Sequence, residues 1–375
     1  VPAIIQHYIP TFLQRRFGVD PESKKTKVFR LDTSSGSCRV ANPRNEAAER
    51  RYYRLVDEDG NIDDSVEDLL SDVEYRGAGV IRSIVESPSA SIEPQDLVSL
   101  AVFVATMKCR TPEGRADLAD ADVEISKLAA MQLFSDFEVV KRSMDPGASD
   151  EAVKRMRGCL LDDLKDGDIY FESTATREIG LMLAGMPAMV DWLIWKADWH
   201  VLVTPSDRQF ILSDAPVTHY DPTPKMPGAG AGFDSSPGAM TFIPIDPCIG
   251  LLIRPSPDEL LNWRTRPIDR ALVDDLNLLI YAQAGRAIFG ASQGIVTGVR
   301  RDARRNRKRL AQYARRRPRI WVSEDVDTAW SIGDIRTFRS TNRDGTILRK
   351  LHVDQAAYRE ARRTVHGPTD RRQPK

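Results

Sequence analysis

Five polar side chains in this chain are hard to explain by packing alone: His7, Glu74, Arg110, Asp214 and Asn277. His7 precedes a proline-started amphipathic segment, Pro10-Thr11-Phe12-Leu13-Gln14-Arg15-Arg16-Phe17. A histidine beside a helix start can act as general acid or base near neutral pH, or as a metal ligand through neutral imidazole. It can equally be a half-buried side chain that holds the N-terminal segment to the body. Glu74 falls on an apolar stripe one turn from Leu70 and Gly77, and roughly 10 Å from Glu67 on nearly the same helix face. Burial of that carboxylate raises its pKa unless a cation answers it, and Arg110, at the end of a buried helix, is the cation to test. A closed Glu74–Arg110 pair is scaffold; a pair opening onto a cleft with His7 is a site. Asp214 follows a strand in Ser213-Asp214-Ala215-Pro216, where a short carboxylate either caps a turn or presents a catalytic acid. Asn277 lies within an apolar helix, so its amide must bond something specific, in the same cleft or on another element.

Such a His/Glu/Asp/Arg set suits an enzyme acting on a phosphodiester or nucleic-acid substrate. His7 would move protons, Glu74 and Asp214 would bind a divalent ion or orient water, and Arg110 would answer developing negative charge. The alternative is a non-catalytic nucleic-acid or protein binding module in which the same residues form a buried, satisfied network.

Charge distribution bears on both readings. The chain is formally neutral, yet Asp57 to Glu74 is acidic, and Arg300 to Arg319 holds eleven basic residues against Asp302 alone. Arg300, Arg301, Arg304, Arg305, Arg307, Lys308, Arg315 and Arg316 are the candidate phosphate contacts. The run also reads as a solvated helix, or as a segment that docks on the acidic stretch. Tyr313 and Trp321 are the only rings nearby, which does not support a stacking platform for single strands.

The elements that must position these residues read as α+β, a mainly helical core with antiparallel hairpins. Lys27 to Leu31 and Cys38 to Ala41 predict two strands, with a third at Tyr52 to Val56. Val66, Leu69, Leu70, Val73, Gly77, Val80, Ile81 and Ile84 trace a helical stripe, and Ile92 to Cys109 predicts a central buried helix. Three or four more helices follow, broken near Thr111-Pro112, Asp145-Pro146-Gly147 and Asp166-Gly167-Asp168. Trp199 to Val203 and Gln209 to Leu212 predict a hairpin, as do Thr241 to Ile245 and Ile249 to Ile253, with a Pro/Gly loop from Pro222 to Gly238 between them. Ile268 to Phe289 predicts one helix, and Ile320 to Val322 a short strand. The organisation expected is a single α+β domain over 1–298, then a partly helical basic extension over 299–375 whose tail frays after about Val365.

At 375 residues, 41% apolar and 29% charged, the composition is that of a soluble globular protein. No window approaches eighteen uninterrupted apolar residues, and the N-terminus lacks a signal-peptide layout, so the expectation is a cytoplasmic protein with no membrane partner. Cys38, Cys109, Cys159 and Cys248 have no paired spacing, so neither a disulfide framework nor a thiolate metal knuckle is indicated, and they read as buried or half-buried thiols. Gly290-Ala291-Ser292-Gln293-Gly294 spells G-x-S-x-G, but the reading of a helix before it and an extended Ile295-Val296-Thr297 after it argues against a nucleophile elbow. Gly228-Ala229-Gly230-Ala231-Gly232 lacks the strand-turn-helix context of a dinucleotide fingerprint. Trp192, Trp195 and Trp199, with Met182, Met186 and Met189, read as core filling.

In this order the pieces resemble a bacterial domain-of-unknown-function family, the one numbered 4238. The resemblance rests on the His7-Tyr8-Ile9-Pro10 opening and on Phe103-Val104-Ala105 leading into Arg110-Thr111-Pro112. It continues through Phe210-Ile211-Leu212-Ser213-Asp214-Ala215-Pro216-Val217, Phe242-Ile243-Pro244-Ile245-Asp246-Pro247, and Asn277 ahead of Ala287-Ile288-Phe289. It covers about residues 5–290 and implies an architecture and a residue list, with no activity or cofactor attached.

Overall fold

The computed structural model describes residues 5–56, 62–63, 65–222, 238–256 and 262–314, together with the strand segments 319–322, 337–341 and 347–352. In chain order the elements begin with β1 (Ile5–His7), α1 (Thr11–Arg16), β2 (Val28–Asp32), β3 (Cys38–Ala41), β4 (Ala48–Arg50), β5 (Leu55–Val56) and β6 (Ile62–Asp63). Six helices follow: α2 (Ser65–Glu86), α3 (Pro94–Cys109), α4 (Pro112–Ser135), α5 (Phe137–Ser143), α6 (Asp150–Asp166) and α7 (Ala175–Trp195). Then come β7 (Ala197–Val203), β8 (Leu212–Ser213), β9 (Thr218–Tyr220), β10 (Met240–Asp246), β11 (Ile249–Pro255), β12 (Trp263–Pro267), α8 (Arg270–Gln283), β13 (Ala287–Gly290), α9 (Gln293–Arg305) and α10 (Arg307–Tyr313). The strands β14 (Arg319–Val322), β15 (Thr337–Thr341) and β16 (Ile347–His352) complete the α+β fold.

The chain clusters into two compact units, one of Val1–Leu118, Thr174–Lys225 and Ala229–Arg315, the other of Ala119–Ser173, Met226–Gly228 and Arg316–Lys375. In the second unit, α5 is capped by the Asp136 carboxylate and α6 by Ser149, and α6 ends at left-handed Gly167, as the Asp-Gly-Asp break predicts.

The first unit carries two larger sheets. One has the order β12-β7-β11-β10-β9 and is antiparallel except where β12 runs parallel to β7; the other has the order β3-β2-β13-β8 and is antiparallel throughout. Trp199, Val201, Leu251, Ile253, Phe242 and Ile243 are buried there with Leu100, Phe103, Val104 and Met107 of α3. Helix α3 is apolar all round, and that is why it sits inside the unit rather than on its surface. Gly77 on α2 gives Phe103 its space, since a Cβ at that position would collide with the ring.

Several expected elements differ. Tyr52 and Tyr53 lie in a turn, and only Leu55–Val56 of that expected strand is extended, paired with β6. Gln209 to Leu212 does not form a hairpin with β7; β7 pairs with β11 and β12, and β8 joins β13. The reason is long-range: the Phe210 amide donates to Pro247 O at 2.7 Å and the Ile211 amide to Asn277 Oδ1 at 3.0 Å. Ile268 to Phe289 is not one helix, because α8 stops at Gln283 and Ala287 starts a strand. Ile295-Val296-Thr297 is helical, so the G-x-S-x-G stretch does lie between a strand and a helix. Ser292 nevertheless has extended dihedrals (φ −146°, ψ 155°) and its Oγ caps α9 by accepting from the Ile295 amide at 3.3 Å. It is a helix cap.

Helix α7 is, by length and composition, long and apolar enough to cross a membrane, although it holds Pro187 and buries Ile179, Met182, Trp192 and Leu193. Leu69 and Trp195, expected in the interior, are exposed, and so are Cys159 and Cys248, expected buried or half-buried. Residues 223–237, including the Gly228 to Gly232 run, lie outside the described residues, as do Arg315 and Arg316.

Candidate functional site

Of the five expected chemical residues, the fold gathers three. Arg110 ends α3 with its side chain 2% exposed, and its Nη2 meets Glu74 Oε1 of α2 at 2.8 Å. The same Nη2 donates to the His7 carbonyl oxygen, and Nε donates to the Tyr53 hydroxyl at 3.0 Å. Tyr53 closes the circuit, its hydroxyl donating to His7 O at 3.3 Å and its amide to Gln6 Oε1 at 2.8 Å. Burial works against charge on Arg110, but Tyr53 and Glu74 hold it protonated, while burial pushes the Tyr53 phenol up to about 12. Tyr53 and Gln6 were missed from sequence; the Tyr52-Tyr53 doublet inside a polar stretch was the available signal.

The imidazole of His7 faces elsewhere. Its Nε2 lies 3.0 Å from Arg44 O, and because a carbonyl only accepts, Nε2 carries the proton. Burial holds the ring's pKa below its ordinary value. Arg110 therefore meets the backbone of His7 and Glu74 reaches it only through Arg110, with the ring used to pin the 43–45 turn.

Asp214 and Asn277 lie apart from this network, each closed on backbone. The Asp214 carboxylate, 4% exposed, accepts from the amides of Gly285, Arg286 and Ala287 at 2.9, 2.7 and 3.1 Å. Burial raises its pKa and those three donors oppose the rise. Asn277 accepts from Ile211 N and donates from Nδ2 to Gln209 O at 2.8 Å. Both join distant backbone segments. Among the described residues, no group of three or more His, Cys, Asp or Glu side chains is placed to hold a metal ion.

A hollow of a different character lies at α9. Leu31, Gly36, Thr297, Arg300, Arg301, Arg304 and Arg305 line a cavity of about 360 Å³. Helix α9 is amphipathic: Val296 and Ala303 are buried, and the helix packs on α8, β13 and the β2–β3 hairpin. Its arginines are left on the other face. The hairpin wall is stiffened by Asp32, whose carboxylate accepts from the Ser34 hydroxyl at 2.6 Å and from the Ser35 amide and hydroxyl, both at 2.8 Å. Those bonds hold Asp32 well below the usual carboxylate range. The turn presents Ser35 O to Arg300 Nη2 at 3.2 Å, while Arg300 Nε is buried without a partner among the described residues.

Arg301, Arg304, Arg305, Arg307 and Lys308 are exposed and, among the described residues, make no ion pair. Arg309 is different, bonded to Asp275 at 2.6 Å and to the Tyr313 hydroxyl at 3.1 Å. On α2, Asp72 pairs with Arg76 and Glu74 with Arg110, so these two acids are engaged away from this face. Gly36 and Thr297 were not legible as lining residues.

The family described as protein of unknown function (DUF4238) matches residues 5–294, and the chain belongs to it. No curated protein and no solved structure matches the chain.

Proposed function

We propose that this member of the DUF4238 family is a non-catalytic binding module for nucleic acid, engaging the phosphate backbone through the basic face of α9 and α10. The observation that carries the reading is the set of exposed guanidinium groups around the α9 cavity, which among the described residues make no ion pair and whose described lining holds no carboxylate. Charges left unpaired beside a concave surface attract polyanions, and each phosphate neutralised releases condensed counterions. The described lining has no aromatic ring, so contact is to phosphate charge and independent of base sequence. The buried polar groups support the same reading, because the Asp214 and Asn277 side chains are spent on backbone partners.

Fluorescence anisotropy with labelled duplex DNA and RNA, across about 50 to 200 mM salt, tests it. Affinity is expected to fall log-linearly with salt, and a variant with Arg301→Glu, Arg304→Glu and Arg305→Glu to bind more weakly with a slope shallower by about 0.9 per lost phosphate contact on DNA. Absence of binding at low salt, or an unchanged slope in a folded variant, overturns it. A phosphodiester enzyme is the second reading, favoured by one observation: Arg110 Nη1 is a buried donor without a partner, beside Glu74. Cleavage of DNA or RNA, with or without added divalent ions, that is lost in His7→Ala would establish that reading instead.

A further inference from the structure

Another cationic cluster lies on the larger sheet, built from strands rather than a helix. Strand β12 pairs Arg264 with His200 and Arg266 with Leu202, while β11 sets Leu252 opposite His200 and Arg254 opposite Asp198. Alternation along the strands puts His200, Arg254, Arg264 and Arg266 on one face, opposite the core face carrying Trp199, Val201, Leu251 and Ile253. On that core side β12 is tied down by Trp263 Nε1 donating to Ala90 O at 3.1 Å and by Thr265 Oγ1 donating to Pro88 O.

The three arginines are exposed, and among the described residues none makes an ion pair. Arg264 Nη2 reaches Asn262 Oδ1 at 3.3 Å, and Asn262 in turn donates to Asp198 Oδ1 at 2.8 Å, so the β7 carboxylate is engaged by an amide. Between these guanidinium groups lies His200, 9% exposed, whose buried Nδ1 has no hydrogen-bond partner among the described residues. A buried ring nitrogen left unpaired carries the desolvation cost of that group, and the place asks for a partner.

We propose that this face is a second anion site, taking the phosphate group of a phosphate monoester: Arg254, Arg264 and Arg266 hold its oxygens and His200 contributes a ring hydrogen bond. Three cations beside a neutral imidazole match a dianion better than a single diester charge, and guanidinium forks suit phosphate geometry. The charges facing His200 are Asp198 on its own strand, Arg254 on β11, and Arg264 and Arg266 on β12. Burial first, then the arginines, keep the ring below its ordinary pKa, with Asp198 opposing them. A bound dianion adds negative charge next to the ring and raises that value.

The test is a histidine-ring NMR titration of the full chain with inorganic phosphate, at constant ionic strength against a chloride control. Saturable shifts of the His200 ring and a rise of about one unit in its pKa are expected. The double variant Arg264→Ala, Arg266→Ala should lose both responses while keeping its melting temperature, and the α9 charge-reversal variant should retain them. The second variant separates this site from the α9 face. Signals that stay unmoved, move equally with chloride, or still respond in the double variant overturn the proposal.

Discussion

The guanidinium of Arg300 occupies the space that a Cβ on Gly36 would need, and Gly36 itself has φ +76°. Two independent constraints therefore exclude a side chain at this turn: the left-handed backbone and the arginine laid over it. The wall of the α9 cavity depends on both.

Gly36→Ala is expected to lower stability by about 1–2 kcal/mol from backbone strain alone, with a further loss from displacing Arg300. Urea unfolding of G36A, R300A and the double variant separates the two. In the Arg300→Ala background the cost of the alanine should shrink to the backbone share. An equal cost in both backgrounds would show that the Arg300 approach contributes nothing.

Arg110 is expected to be the most costly of the five chemical residues to replace. Breaking a buried pair from one side leaves uncompensated polar groups, and Arg110→Met should destabilise by about 3–5 kcal/mol. Glu74 is 29% exposed, so Glu74→Gln, which keeps an acceptor oxygen, should cost less, about 1–2 kcal/mol. Equilibrium denaturation orders the two, and the reverse order would mean that Arg110 is held mainly by water.

Sequence made the helical half of the chain legible because its punctuation is local. Pro112 opens α4, left-handed Gly167 closes α6, and Asp246-Pro247-Cys248 turns β10 into β11. The misreadings share one physical cause, a partner remote in sequence. Helix α8 ends where the Asp214 carboxylate, some 70 positions earlier, collects the amides of Gly285, Arg286 and Ala287. The Gln209–Ile211 segment is bonded by the Asn277 side chain instead of pairing with β7. Ile295-Val296-Thr297 looks extended because β-branched residues favour strands, yet the Ser292 cap and the packing of Val296 make it helical. Residue types at the site were legible in the same partial way. The sequence singled out His7, Glu74 and Arg110, but not that Arg110 would meet the carbonyl of His7 while the ring bonded Arg44.

Acid should weaken the fold through its histidines. His7, His200 and His219 all have pKa values lowered by burial, His219 to about 4. Between pH 6.5 and about 4 the unfolded chain binds protons that folded His219 refuses. Stability is therefore fully present above pH 6.5 and is lost as pH falls toward 4, on the order of 3 kcal/mol from His219. Asp214, whose pKa is raised, works in the opposite direction at the lower end. Melting temperatures measured from pH 7 to pH 4 should fall, and less so in His219→Gln. A flat profile would show that these rings are solvated.

Asp214→Asn distinguishes a structural carboxylate from a catalytic one. The carboxylate serves three backbone amides with two oxygens, and an asparagine keeps one oxygen while placing an NH2 group against a donor. Leaving buried amides unmet costs about 1–3 kcal/mol, so the variant should unfold at lower urea concentration with its m-value unchanged. Asn277→Ala should produce a comparable loss by releasing Ile211 N and Gln209 O. Nucleic-acid affinity per folded molecule should be unaffected in both, since neither side chain lines the α9 cavity. If Asp214→Asn instead left stability intact and changed binding or exposed a loss of cleavage, the carboxylate would belong to an active centre and the binding-module reading would fail with it.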